Sequence, residues 1–486
     1  MLKKPFSFAA VWFVTFALGC IAAPPQSTSF TPQPPGDSLR QPPPTIPSGS
    51  PTGSPVRTLP AESRPLQPVI TAARLLPHRW SPTNGVLAFW TWTAQEVQVD
   101  YLYPPGRLFF YDAATGRVCP SPVQVGYPYF VSTLVWMPDG KAFLLSEENR
   151  LVELTPCRDL SPEAVRDLPE PILSIEGAPH HRLLLRTAAG ELTVLEVPAP
   201  ETTLILTGQS RDYLYNRETH TLRWLDGRLV AGSFSPDGAY LAISGDTRTA
   251  IINLRTGKVE AEAPWHPQPA EGAPGPAIWL SDREVLVAAP AIGGPVIVTP
   301  GKDPVRVAPE YLGLDCSGRA CRALGARSAS AHTYHLLVQA PGAPGEARDT
   351  WFLYHPELGR TENLGPLTDP HFSPNGEELA ALQDLNGQEA SAAWLRPADP
   401  PGTEPLIFAP VRPHGFLTWS PDSRMLALHL EDGVAILQVA GEWRWVGRWV
   451  TTGHEPVAAL WSPDARHLAV QASSPQANAL FVVEVP

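Results

Sequence analysis

The chain has 486 residues, formal net charge −12, and only 36 Lys plus Arg with no basic run. That excludes a nucleic-acid binder, which needs clustered cations on phosphates. With 58 Pro, 37 Gly and 43% hydrophobic residues, it fits a turn-rich all-β protein joined to a Pro-rich segment.

Residues 1–19 read as an export signal. Lys3 and Lys4 precede an apolar run from Phe6 to Gly19. The run ends in Ala17-Leu18-Gly19-Cys20. These residues resemble a bacterial lipobox, although Ala17 stands where Leu is usual. The resemblance implies lipidation at Cys20, export, and membrane attachment through that residue. An ordinary secretory signal and an uncleaved anchor are the alternatives.

Residues 20–68 form the next region. It has 14 prolines between Pro24 and Pro68 and almost no apolar pattern. Such composition cannot bury enough surface to offset its ordering entropy, so a disordered spacer is expected. Extended as polyproline II, it reaches on the order of 100 Å.

Residues 69–486 carry a repeat. The clear copies are Trp80-Ser81-Pro82-Thr83-Asn84-Gly85, Trp136-Met137-Pro138-Asp139-Gly140, Phe234-Ser235-Pro236-Asp237-Gly238, Phe372-Ser373-Pro374-Asn375-Gly376, Trp419-Ser420-Pro421-Asp422-Ser423 and Trp461-Ser462-Pro463-Asp464-Ala465. Weaker copies lie at Ala178-Pro179-His180-His181, at Trp279-Leu280-Ser281-Asp282 and around Ala331. Ser, Pro, Asp and Gly suit the successive positions of a tight turn, with φ > 0 at the last. Asp237 is therefore a turn residue rather than a catalytic one. Spacings of roughly 41 to 57 residues signal a propeller array, and the aromatic before each turn reads as inter-blade core.

These motifs resemble the TolB-like, Trp-Asp-repeat-like propeller family. The resemblance implies one β-propeller of about eight four-stranded blades, with seven to nine allowed. The last repeat ends at its third strand, so 68–74 is expected to supply the fourth and close the ring.

Four cysteines remain besides Cys20. Cys316 with Cys321, and Cys119 with Cys157, are the candidate disulfides in an exported chain. No Cys-x-x-Cys or His cluster points to a metal, and no cofactor motif appears. No Gly-x-Ser-x-Gly elbow marks a hydrolase, so no catalytic residue is assigned. His78, Asp369, His371, His414, His454 and Glu455 fall where strands enter the ring, at differing offsets from their turns. Exposed loop residues are the plain reading of that set.

The candidate binding face is aromatic: Trp92, Tyr101, Tyr103, Tyr127 and Tyr129, with His454 and Glu455 beside them on ring closure. Trp443, Trp445 and Trp449 share one parity and read as a packed outer strand. The expected function is a non-enzymatic, lipid-anchored propeller binding an envelope protein, a polymer such as a glycan, or a small ligand. A channel-sited glycan lyase or hydrolase, and a structural subunit of an envelope complex, are the alternatives.

Overall fold

The computed structural model describes 56–486, except 84, 99–105, 126–132, 147, 159–163, 179–181, 187–191, 230–232, 236, 245–247, 265–276, 280–281, 288–295, 303–304, 307–321, 328–333, 341–349, 356–359, 385–390, 399–402, 404, 413–414 and 442. Within those residues the chain is almost entirely antiparallel sheet. Nine sheets have four or five strands and one has three. In chain order the nine span 74–120, 134–167, 172–224, 233–264, 277–306, 322–365, 368–411, 417–450 and 455–484.

The turn signature works as a hydrogen-bond relay. Ser235 Oγ donates to Asp237 Oδ1 at 2.6 Å and accepts Tyr240 N–H at 2.9 Å. Asp237 Oδ1 also accepts Ala239 N–H at 2.9 Å. The same set recurs on Ser373 and Asn375, on Ser420 and Asp422, and on Ser462 and Asp464. All four serines are buried, so each must find its partners locally. Gly85, Gly140, Gly238 and Gly376 have the required positive φ. Ser423 and Ala465, in the glycine place, adopt it too, at 60° and 58°.

Apolar strand faces pack sheet against sheet. One cluster joins the first and second sheets through Trp90, Trp92, Phe110, Leu134 and Leu144. Another joins the ninth to the first through Leu75, Trp80, Leu87, Ala469 and Leu480. Three of the tryptophans before the turns add a directional link. Trp136 Nε1 donates to Arg79 O, Trp80 Nε1 to Leu460 O, and Trp461 Nε1 to Thr418 O. Each indole thus reaches the carbonyl just before the aromatic of the neighbouring sheet. The bond from Trp80 to Leu460, at 3.0 Å, joins the first sheet to the ninth.

The N-terminal end of the described chain runs along outer edges. Strand β1 (Val56–Thr58) adds in parallel to Leu406–Val411 as the fifth strand of the seventh sheet. Strand β2 (Arg64–Pro65) adds in parallel to Arg444–Val450 as the fifth of the eighth. Strand β3 (Ile70–Ala72) pairs antiparallel with Asn478–Glu484 and is the fourth of the ninth. The closure expected from 68–74 is therefore present. Within the spacer expected through residue 68, Val56–Thr58 and Arg64–Pro65 pair with sheet edges. Composition hid this: Leu59 and Leu66 each find an apolar cluster already built by other residues.

The weak motif at 178–181 is also corrected. Ile172–Gly177 does not turn back on Arg182–Arg186 but pairs with Thr203–Gly208. Arg182–Arg186 and Leu192–Glu196 instead build a separate sheet with Arg228–Leu229. The chain leaves the third sheet after one strand, lays two strands of another, and returns to finish the third. It then supplies the last strand of that other sheet. Leu183 and Leu185 of this sheet, with Val197 just beyond it, pack on Ile205 and Leu214 of the third.

The tryptophan stripe does not keep one parity. Leu437 pairs with Trp445 and Ile436 with Gly447, so Val446 is a bulge. A one-residue slip flips every side chain beyond it. Trp443 and Trp445 pack toward the seventh sheet, and buried Trp449 toward the ninth.

Candidate functional site

Trp92 does not belong to an exposed binding surface. It is 1% exposed and sits in the core between the first and second sheets. A Cβ at Gly106 would lie 2.7 Å from its ring, so the approach needs glycine there. The Arg74 guanidinium covers the ring at 5.2 Å. Indole burial with one cationic lid holds the base of the loop and leaves no free face for a partner.

Part of that loop is a short helix, Ala94–Gln98. Thr93 N–H donates to Glu96 Oε2 at 2.6 Å, and Glu96 N–H to Thr93 Oγ1 at 3.3 Å. This is a capping box, and its Thr-x-x-Glu spacing was available in the sequence. Tyr101, Tyr103, Tyr127 and Tyr129 lie outside the described residues, as do Cys20, Cys316, Cys321 and His414.

His454 and Glu455 are held by their own surroundings. His454 Nδ1 lies 3.2 Å from Thr452 O, and its ring meets Phe481 edge-on at 5.7 Å. Glu455 pairs with Arg412 at 2.6 Å, which ties the loop after the seventh sheet to the ninth. Buried His429 stacks on Phe416 at 4.7 Å. Burial first, and Arg412 second, pull its pKa down to about 4. Arg412 and His429 were not singled out from the sequence, since neither lies in a repeated motif.

The remaining polar positions stay apart. Burial and then Arg79 lower the His78 pKa. His371 Nδ1 lies 3.0 Å from Asp369 O. Asp237 is held below the usual carboxylate range by Ser235, then by Ala239 N–H, as a turn role requires. Among the described residues, no group of three or more His, Cys, Asp or Glu could hold a metal ion.

Cys119 and Cys157 are joined as a disulfide, with Cα atoms 5.4 Å apart. It links the outer strand of the first sheet to the turn after the third strand of the second. This is the pairing expected from their places in successive repeats.

A groove of about 880 Å³ opens between the eighth and ninth sheets, at the end that carries the turns. Arg424, Arg444, Arg466 and Glu484 line it together with Met425 and Val446. Asp422 and Asp464 also face it, yet each spends one oxygen on its own turn. The mixed charge could orient a polar ligand. It is a different end of the sheets from the one the aromatic loops suggested.

Four-stranded antiparallel sheets in series, packed face to face and closed by an N-terminal strand, define a β-propeller. No family model matches the chain, and no curated protein does. Solved structures that are similar include the C-terminal WD40 domain of Sif2, at 12% identity and a TM-score of 0.41, covering 87% of this chain and 99% of that one. The Cps50 (Swd1) β-propeller domain of Myceliophteria thermophila is similar at 14% identity and a TM-score of 0.31, covering 65% and 100%. An oligogalacturonate lyase in complex with manganese is similar at 15% identity and a TM-score of 0.30, covering 63% and 96%.

Proposed function

We propose that this chain is an exported, lipid-anchored β-propeller that binds another macromolecule at the cell envelope and carries out no reaction of its own. The observation that carries this reading is the course of 56–72. The chain downstream of Cys20 and the Pro-rich segment enters along the rim of the seventh, eighth and ninth sheets. A tether fastened at the rim leaves both ends of the strands free for a partner. The Cys119–Cys157 bridge supports an oxidising, extracytoplasmic location. Kinship with the TolB-like branch, resting on the turn signature, belongs to the same proposal, and so does membership of an envelope complex.

Cys20→Ala tests the anchor. Wild-type protein should incorporate labelled fatty acid and sediment with membranes, while Cys20→Ala should do neither and remain folded. If Cys20→Ala still sediments, the lipid anchor is wrong. Crosslinking in intact envelopes, followed by identification of adducts, tests the binding role. A chain recovered only as uncrosslinked monomer would count against it.

A further inference from the structure

Strands β1 and β2 differ from every other strand described above in one respect. The sheets they join already have four strands without them. Residues 56–66 are therefore an addition to two finished edges, whereas β3 completes its sheet.

The hold on that addition is slight. β1 is in register at three positions, as many as β3, and β2 at two. Thr58, Ala61, Glu62, Ser63, Arg64 and Pro65 are exposed. Among the described residues the specific contacts are few. Trp445 Nε1 donates to Thr58 O at 3.2 Å, and Leu66 N–H to Val450 O at 2.9 Å. Arg64 lies over the Trp449 ring at 5.8 Å. Leu59 rests on the cluster between the seventh and eighth sheets, and Leu66 on that between the eighth and ninth. Ordering so long a segment for so few contacts leaves little net stability. By contrast, β3 is followed at once by Arg74–Trp80, and Asn478 Nδ2 fixes Ala73 O at 3.0 Å.

We infer that the outer edges at Leu406–Val411 and Arg444–Val450 form an acceptor for an extended polypeptide, which residues 56–66 cover and can vacate. The acceptor's own occupant defines the partner. It is a segment of another polypeptide that runs parallel to both edge strands, with an aliphatic side chain, Arg five residues later, and a second aliphatic two beyond. That is the order Leu59, Arg64, Leu66. Main-chain bonds to the edge give such recognition its affinity, and the side chains at fixed intervals give its specificity. Vacating the edges leaves the ring closed, because β3 stays in place. The inference does not depend on lipidation.

The probe is a fluorescent synthetic peptide of residues 55–67. The acceptor is the full chain carrying Leu59→Asp, Arg64→Glu and Leu66→Asp, which removes the strap's grip without touching either edge. This variant should bind the peptide saturably and at least tenfold more tightly than wild type does. A peptide with Glu in place of Arg64, and a scrambled one, should bind at least tenfold more weakly. Equal affinity for wild type and variant, or for native and scrambled peptide, overturns the inference. Should the triple variant fail to fold, hydrogen exchange on wild type decides. The Leu66 amide should exchange at least a hundredfold faster than the Val69 amide, which donates to Leu480 O at 2.7 Å. Equal protection of the two would show that the strap is no more removable than the closing strand.

Discussion

At the residue scale, the turn relay explains why the signature tolerates some exchanges and not others. The buried serine is both donor and acceptor, so it recurs, while the last position needs only a positive φ. Ala465 holds φ at 58° with 3% exposure. An L-residue there is strained by about 1 kcal/mol or more. Ala465→Gly should therefore raise stability by about 1 kcal/mol, read from the urea midpoint. Ser423→Gly should fall short of that gain. Its hydroxyl accepts Asn375 N–H of the neighbouring sheet at 2.9 Å, and the variant loses this bond.

Half-buried Glu378 and buried His429 should shape the pH dependence of stability in opposite senses. Burial, and then neighbouring Glu377, raise the Glu378 pKa from 4.5 to about 7. The folded state then binds more protons than the unfolded one between those values, so stability falls as pH rises through that window. Glu378→Gln should abolish that fall. His429 is lowered from 6.5 to about 4, so its neutral form favours folding, and stability should drop as pH falls between those values. Melting curves from pH 4 to 8 on wild type and Glu378→Gln check both signs. An unchanged slope above pH 4.5 in the variant would assign the effect to another group.

At the element scale, the disulfide is the clearest test of how neighbouring sheets are held. It closes a separation of 38 residues between two sheets that also share a core. Chain entropy gives such a loop about 4 kcal/mol. Replacing Cys119 and Cys157 together by Ser should lower unfolding stability by roughly that amount, without loss of the cooperative transition. A loss well under 1 kcal/mol would mean that the shared core alone sets the geometry.

The elements also separate what the sequence could disclose from what it could not. Ser, Pro, Asp and Gly specify their turns through bonds within six residues, so the repeat was legible, whereas the exchange of strands between 172 and 229 was not. The burial of Trp92 was not. A tryptophan at the mouth of a loop looks the same on paper whether it faces solvent or a glycine across the sheet. Nor could alternation in Trp443, Trp445 and Trp449 reveal the bulge at Val446, which depends on the partner strand. The strap escaped because Pro-rich composition describes what a segment can bury by itself. It does not describe the surfaces that other residues have already prepared for it. The groove at Arg424, Arg444 and Arg466 gathers residues that are unremarkable singly and far apart in the chain.

At the scale of the whole molecule, closure is the property that a ring cannot lose piecemeal. β3 and the Trp80 indole bring the two ends of the propeller together. Ile70 packs against the cluster between the ninth and first sheets. Ile70→Asp should place an unpaired charge there and lower the urea midpoint of the entire ring in one transition. Arg64→Ala, on the removable part of the strap, should shift it by no more than about 1 kcal/mol. Comparable losses from the two would mean that the fifth strands share in closure.

The exchange of strands between the third sheet and its three-stranded neighbour bears on how the chain is made. Synthesis proceeds from the N-terminus, and most sheets here can be completed from a single stretch of chain as it emerges. These two cannot. Ile172–Gly177 must wait for Thr203–Gly208, and Arg182–Arg186 must wait for Arg228–Leu229. Throughout that interval several apolar strands are present without their final partners. The pair should therefore fold as one late event, and the passage from residue 172 to 229 is where a nascent chain is most exposed to mispairing.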